Sequence, residues 1–139
     1  MTIVCVDLQT LDIVSWYEGD VNRQNEWGGS MGNPEATLHT LVPEGLTWDI
    51  VMAVRSDDDE ITLVSDPTKV QAKTQAQWAS VRTQQRQKLY ESDWTCSVID
   101  PMPSVLAKRE QWLAYRQALR DVTTQTDPFN IQWPEAPTV

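Results

Sequence analysis

The dipeptide Asp66-Pro67 constrains this chain more than any other feature. An Asp side chain can accept from the free N–H groups of a helix start, and Pro suits the first helical turn, so a helix begins here. The residues before it read as β structure. Thr2 to Asp7 and Ile13 to Tyr17 are runs rich in β-branched residues, joined by Leu8 to Asp12. Thr37 to Val42 is a third run. Pro43-Glu44-Gly45 is a turn signal, because Pro presets φ and Gly accepts a positive one. Leu46 to Val54 then reads as one long strand, with Trp48, Ile50, Met52 and Val54 on one face. Ser56 to Asp59 turns the chain, and Glu60 to Val64 returns as the hairpin partner. The pattern predicts one small, mainly antiparallel sheet of about five strands.

Gly19 to Ala36 interrupts this lobe. It holds four of the five glycines around Trp27 and Met31. A loop of this length is expected to make contacts, with Trp27 and Met31 as its partner-binding candidates.

After Asp66 the spacing changes to a helical one. Val70, Trp78, Val81 and Leu89 fall on one face of a helix over about 67–91. Asp100 to Pro103 breaks the chain, and Ser104 is placed to cap a second helix over about 104–122. That helix carries a stripe of Val105, Trp112, Tyr115, Leu119 and Val122. Pro128, Pro134 and Pro137 forbid helix beyond it. The predicted fold class is therefore α+β. A β-rich lobe (1–66, with its Gly-rich loop 19–36) is followed by a helical hairpin and an extended Pro-rich strap (67–139).

The net charge of −9 is unevenly spread. Residues 1–66 hold thirteen acids against Arg23 and Arg55, while residues 67–139 hold seven acids against nine bases. An acidic lobe repels phosphate backbones and anionic lipid, so neither nucleic acid nor a membrane is an expected partner. No apolar run approaches the roughly 18 residues that span a bilayer. Met1 to Leu8 lacks a basic region before its apolar run and reads as a strand, not a signal peptide. Cys5 and Cys96 form no CxxC pair, and two Cys with one His do not make a four-ligand zinc site, so both are expected as buried reduced thiols. No cofactor is expected.

No residue pattern announces catalysis. His39, the one histidine, sits in a predicted strand. Asp57-Asp58-Asp59-Glu60 lacks the Gly and Glu spacing of a calcium loop and reads as a solvated turn. Paired acids such as Glu18/Asp20 or Asp57/Asp59 leave a glycan-acting enzyme as the remote reading. Of the seven Trp, periodicity assigns Trp48, Trp78 and Trp112 to the core and leaves Trp16 open. Arg82/Arg86 and Arg116/Arg120 are i,i+4 pairs, which fit either a salt-bridged hairpin or a docking face for acidic surface, the latter making Arg116 and Arg120 partner-binding candidates. In the tail, Phe129, Ile131 and Trp133 alternate. They form either a strap on the chain's own helices or a segment added to a partner.

The last third carries a resemblance. R-T-Q-Q-R-Q-K-L-Y-E-S-D-W-T, W-L-A-Y-R-Q-A-L-R-D and I-Q-W-P-E-A-P resemble the C-terminal segment of tailed-bacteriophage tail assembly chaperones and tail-fibre assembly proteins. Trp94, Trp112, Tyr115, Arg116, Leu119, Arg120, Asp121, Trp133, Pro134 and Pro137 carry it, across roughly residues 78–137. The resemblance implies a non-enzymatic protein that covers a tail-fibre or other tail protein during morphogenesis in the host cytoplasm. The alternative it leaves open is a structural component retained in the virion, such as a fibre cap or baseplate-associated protein. A homo-oligomer is compatible with either.

Overall fold

The computed structural model of this chain describes residues 1–19, 37–97 and 102–138. Beyond Gly19, the expected contact loop with Trp27 and Met31 lies outside these residues. The fold is α+β, with antiparallel strands followed by helices. The chain divides into two compact units, Met1–Lys73 and Thr74–Val139.

In the first unit, β1 (Thr2–Asp7) lies between β2 (Ile13–Glu18) and β3 (Thr37–Leu41), antiparallel to both. As the central strand it buries Ile3, Val4, Cys5 and Val6 completely. Its β-branched residues suit this two-sided packing. The turn into β2 is built by Asp7, whose Oδ1 accepts from the backbone N–H groups of Gln9 and Thr10 at 2.8 and 2.9 Å. Pro43 and Gly45 make the expected corner: Leu46 N–H donates to Pro43 O, and Gly45 takes φ 83°.

The single five-stranded sheet predicted from sequence is instead two sheets. β4 (Val51–Arg55) and β5 (Ile61–Ser65) form a separate antiparallel hairpin. Its inner face meets that of the first sheet in a cluster of Val4, Val6, Val51, Ala53 and Leu63. The predicted long strand from Leu46 to Val54 is also shortened. Trp48–Ile50 is a 3-10 turn, and the strand starts at Val51. The face assignment therefore flips: Val51 and Ala53 are buried, while Met52 and Val54 are exposed. Strand side chains alternate strictly, so the one-residue change of phase that follows the 3-10 turn sends the other set inward. Trp48 is consequently not core. It is 40% exposed and stacks on Trp16, with centroids 4.9 Å apart and planes at 11°.

α1 (Pro67–Glu91) begins at the expected cap, where Asp66 Oδ1 accepts from Thr68 N–H at 2.9 Å. Its first turns tie to the β layer through Lys69 Nζ donating to Val51 O and the Lys73–Asp49 ion pair, both at 2.7 Å. Val70, expected on the buried stripe, is exposed.

Among the described residues of this unit, three carboxylates are held below their ordinary values. For Asp49 the largest cause is the Lys73 hydrogen bond, then that from Thr47. For Glu18 it is the Thr2 hydroxyl, and for Asp7 the backbone N–H of Thr10. The unfolded chain binds more protons here than the native one. Their stabilisation is therefore complete above the ordinary values of 3.8 for Asp and 4.5 for Glu, and is lost as pH falls below them. Acid titration followed through the Trp16–Trp48 stack should show this unit loosening from pH 4.5 downward. Asp49→Asn should flatten that acid limb; an unchanged slope would show that the Lys73 contact does not act on folding.

The second unit contains the rest of α1, a 3-10 turn at Asp93–Cys96, α2 (Pro103–Ala107) and α3 (Arg109–Asp121). The second predicted helix is thus two. Lys108, at φ −116° and ψ 20°, separates them. α2 starts at Pro103 after Met102, so Ser104 does not cap it. The core stripes hold in part: Val81, Val105, Trp112, Leu119 and Val122 are buried, whereas Trp78, Leu89 and Tyr115, also expected there, are half-buried. Gln85 Nε2 donates to the Leu119 and Arg120 carbonyls at 2.8 and 3.0 Å, while Arg116 reaches Leu89 O. Later positions of α1 meet earlier positions of α3, so the helices run antiparallel. Cys96, expected buried, is exposed.

Candidate partner-docking surface

The second unit builds its surface from one buried cation and one aromatic row. Arg116 Nη1 donates to Leu89 O and Ser92 Oγ at 2.8 and 2.7 Å, and Nη2 to Asp93 Oδ1 at 2.8 Å. Its fork thereby caps the carbonyl end of α1, where positive charge is favoured. The side chain is committed to these internal partners. Arg120, one turn on, is exposed. Two arginines four residues apart on a helix are offset around its axis. Here that offset separates an internal role from a surface one. Among the described residues, Arg116–Asp93 is the ion pair of this unit.

Trp112 lies between Trp94 and Tyr115, edge-on to both at 5.6 and 5.8 Å. Burial, aided by the Glu91 carboxylate, pushes the Tyr115 phenol up. Beside this row is a cavity of about 230 Å³ lined by Val105, Leu106, Arg109, Trp112, Leu113 and Arg116. Leu106, Leu113, Met102 and Trp94 are exposed large apolar side chains of the same unit. Trp112 itself is 6% exposed, and its indole Nε1–H is buried without an acceptor among the described residues.

The strap follows α3 through a 3-10 turn at Val122–Thr124. Gln77 of α1 donates to Pro128 O at 3.2 Å, and Lys88 Nζ lies 5.5 Å from the Trp133 ring centroid. Gln125 and Gln132 exchange side-chain to backbone hydrogen bonds, both at 2.9 Å. Lys108 Nζ holds Thr138 O at 2.6 Å. Ile131 and Trp133 are half-buried, while Phe129 is 55% exposed. The simple alternation of these three is broken by a turn in which Asp127 Oδ1 accepts from Phe129 N–H. Of the sequence candidates, Arg120, Phe129, Ile131 and Trp133 therefore lie on helix end and strap.

In the first unit the β1–β3 register brings together residues that spacing did not connect. Cys5 Sγ is 3.5 Å from His39 Nε2, and Tyr17 Oη is 3.1 Å from His39 Nδ1. A thiol, an imidazole and an orienting hydroxyl have the order of a nucleophilic set. Cys5, however, is fully buried at the centre of the sheet. Of the acids considered for glycan chemistry, Glu18 accepts from Thr2 and pairs with the N-terminal amine, and Asp59 pairs with Arg55, while Asp20 lies outside the described residues. Among the described residues, no three His, Cys, Asp or Glu side chains cluster as metal ligands. Among the same residues, no helix is long and apolar enough to cross a membrane.

Neither a curated protein nor a solved structure matches the chain. A family model does, and it covers the antiparallel hairpin from Trp78, the cavity and the strap. The C-terminal segment, residues 78–138, matches the family described as phage tail assembly chaperone protein.

Proposed function

We propose that this protein is a phage tail assembly chaperone that binds a tail-fibre or other tail protein and covers its sticky surfaces during morphogenesis. The family match over residues 78–138 is the observation that carries this reading. It points to a non-enzymatic role. The physical task is clear. A β-rich tail protein exposes unpaired strand edges and apolar patches before it assembles, and such surfaces aggregate. A small protein with an acidic N-terminal half and exposed apolar side chains around its helices can shield them and then leave.

The client contacts proposed here are Arg120, Phe129, Ile131 and Trp133 on the helix end and strap. Trp27 and Met31 of the Gly-rich segment keep the same proposed role. Phe129 supports it because its ring is largely in solvent at a turn tip. Strand-edge and apolar contacts dominate such a complex, and charge sets its orientation.

Co-expression with the fibre and other tail proteins of the same phage tests this reading. A tail protein should co-purify, its soluble yield should rise, and the complex should survive moderate salt. If no tail protein co-purifies and the fibre assembles equally well alone, the reading is wrong. Mass spectrometry of purified particles separates a transient chaperone from a retained component.

A further inference from the structure

We infer that β5 (Ile61–Ser65) is an acceptor edge: a partner's extended strand adds to it through backbone hydrogen bonds, with a Lys or Arg of that strand beside the acidic turn at Asp57–Glu60. This rests on the chaperone reading, which makes the partner a tail protein, and names the contact and the chemistry it recognises.

The ladder of the β4–β5 hairpin fixes which backbone groups are in use. Ser56 N–H donates to Glu60 O at one end, and Asp66 N–H to Ile50 O at the other. Bonded and non-bonded pairs alternate in an antiparallel ladder. In the register between those ends, Val54–Thr62 and Met52–Val64 are therefore the bonded pairs. Ile61, Leu63 and Ser65 turn their N–H and C=O groups away from β4. Among the described residues none of these groups has a partner. They recur at every second residue, about 7 Å apart, which is the repeat of an extended chain. A strand is the ligand that matches alternating donors and acceptors at that spacing.

Proteins usually blunt such an edge with a charge, a Pro, a bulge or a cover. β2 has a bulge, where its register with β1 shifts between Cys5 and Val6. On the outer edge of β4, Val51 O is taken by Lys69 Nζ. β5 reads Ile-Thr-Leu-Val-Ser, without charge, Pro or register shift. Thr62, Val64 and Ser65 are exposed, so the strand lies at the surface. A two-stranded sheet is also the least self-sufficient kind, and a third strand completes it. On its outer face Val64 lies opposite Met52, both exposed, and an apolar residue of the added strand would extend that strip.

Charge selects the added strand. Asp59 is paired with Arg55, whereas Asp57, Asp58 and Glu60 have no ion pair among the described residues. A Lys or Arg where the added strand passes this turn is attracted to them. A second copy of β5 is disfavoured. Antiparallel pairing centred on Leu63 sets Glu60 of each copy opposite Asp66 of the other, and like charges directly opposite destabilise a sheet.

The test uses the full chain and peptides tiled over the tail proteins of the same phage, with amide exchange read residue by residue. In the free chain the N–H groups of Ile61, Leu63 and Ser65 should exchange faster than those of Thr62 and Val64. Peptides with alternating apolar residues and a terminal Lys or Arg should bind and slow exchange at the first three. Ser65→Pro removes an outward N–H and leaves the hairpin ladder intact, so it should weaken binding on the order of tenfold. Wild-type exchange carries the test if that variant is unstable. Asp58→Asn with Glu60→Gln should weaken binding similarly and flatten its salt dependence. Peptides that bind without slowing these amides, together with wild-type affinity in Ser65→Pro, overturn the edge assignment and leave the chaperone reading intact. Failure of every tail protein and peptide to bind the wild-type chain overturns both. Protection of the three amides that grows with protein concentration in the absence of peptide assigns the edge to a second copy of this chain and overturns the partner assignment.

Discussion

Alanine in place of Trp112 is expected to unfold the helical unit or to leave it barely stable. The side chain is almost fully buried and touches Trp94 and Tyr115 edge-on. Truncating a buried Trp costs about 3–5 kcal/mol, through lost transfer free energy and the cavity left behind. Each lost aromatic pair adds about 0.5–1.5 kcal/mol beyond area burial. A unit of this size has roughly 3–10 kcal/mol in total at ~0.05–0.15 kcal/mol per residue. The loss therefore approaches the whole stability of Thr74–Val139. Urea unfolding and amide exchange over residues 78–138 measure it. An unchanged denaturation midpoint would show that Trp112 contributes surface, not core. Trp112→Phe serves as the comparison, because it keeps most of the buried ring and deletes an N–H that has no partner among the described residues. Removing a donor that was never satisfied carries little hydrogen-bonding penalty.

Trp112 was legible from spacing alone, as were Leu119 and Val122, because a helix converts sequence separation into a face without help from distant residues. The β unit was less so. In sequence, Trp48 continues the alternation of Ile50, Met52 and Val54. That alternation holds only if the strand already runs at residue 48, and the backbone there is a 3-10 turn. The inward set is chosen by the opposite sheet, where Val4 and Val6 meet the small side chains of Val51 and Ala53. No local pattern encodes that choice. The contact of Cys5 with His39 has the same character: the residues are 34 apart, and the β1–β3 register alone makes them neighbours. In the candidate docking surface, Trp112 and Tyr115 were readable from helical spacing and the strap from proline spacing, but nothing local placed Trp94 against Trp112. The buried indole N–H of Trp112, without a partner among the described residues, was not readable, because being unmatched depends on every surrounding group in three dimensions. Arg116 and Arg120 of α3 show the limit of periodicity most directly. Four residues apart, they read as one face, yet one is buried and the other exposed.

That difference sets the second large effect. Arg116→Ala is expected to destabilise the helical unit by about 2–4 kcal/mol, whereas Arg120→Ala should stay within about 0.5 kcal/mol. Arg116 is 9% exposed, and three of its contacts hold the end of α1 and the turn that follows: Leu89 O, Ser92 Oγ and Asp93 Oδ1. Breaking a fully buried ion pair costs about 3–5 kcal/mol, because the remaining charge is stranded. Here the expected loss is smaller. The Asp93 side chain is 58% exposed and regains water when its partner goes. Ser92 is buried and has no such recourse on its oxygen. Its hydroxyl also donates to Leu89 O at 2.9 Å, so the cost falls on a small network at the helix end. Arg116→Lys should recover only part of the loss, since one ammonium cannot span the three acceptors as a guanidinium does. At ~4–8 °C per kcal/mol for a domain of this size, the melting temperature of Arg116→Ala should fall by about 10 °C or more. Equal melting temperatures for the Arg116→Ala and Arg120→Ala variants would mean that the guanidinium does not cap α1. A large drop at Arg116 alone, together with normal binding of client by Arg116→Lys at low temperature, would separate its part in holding the hairpin from any part in holding the partner.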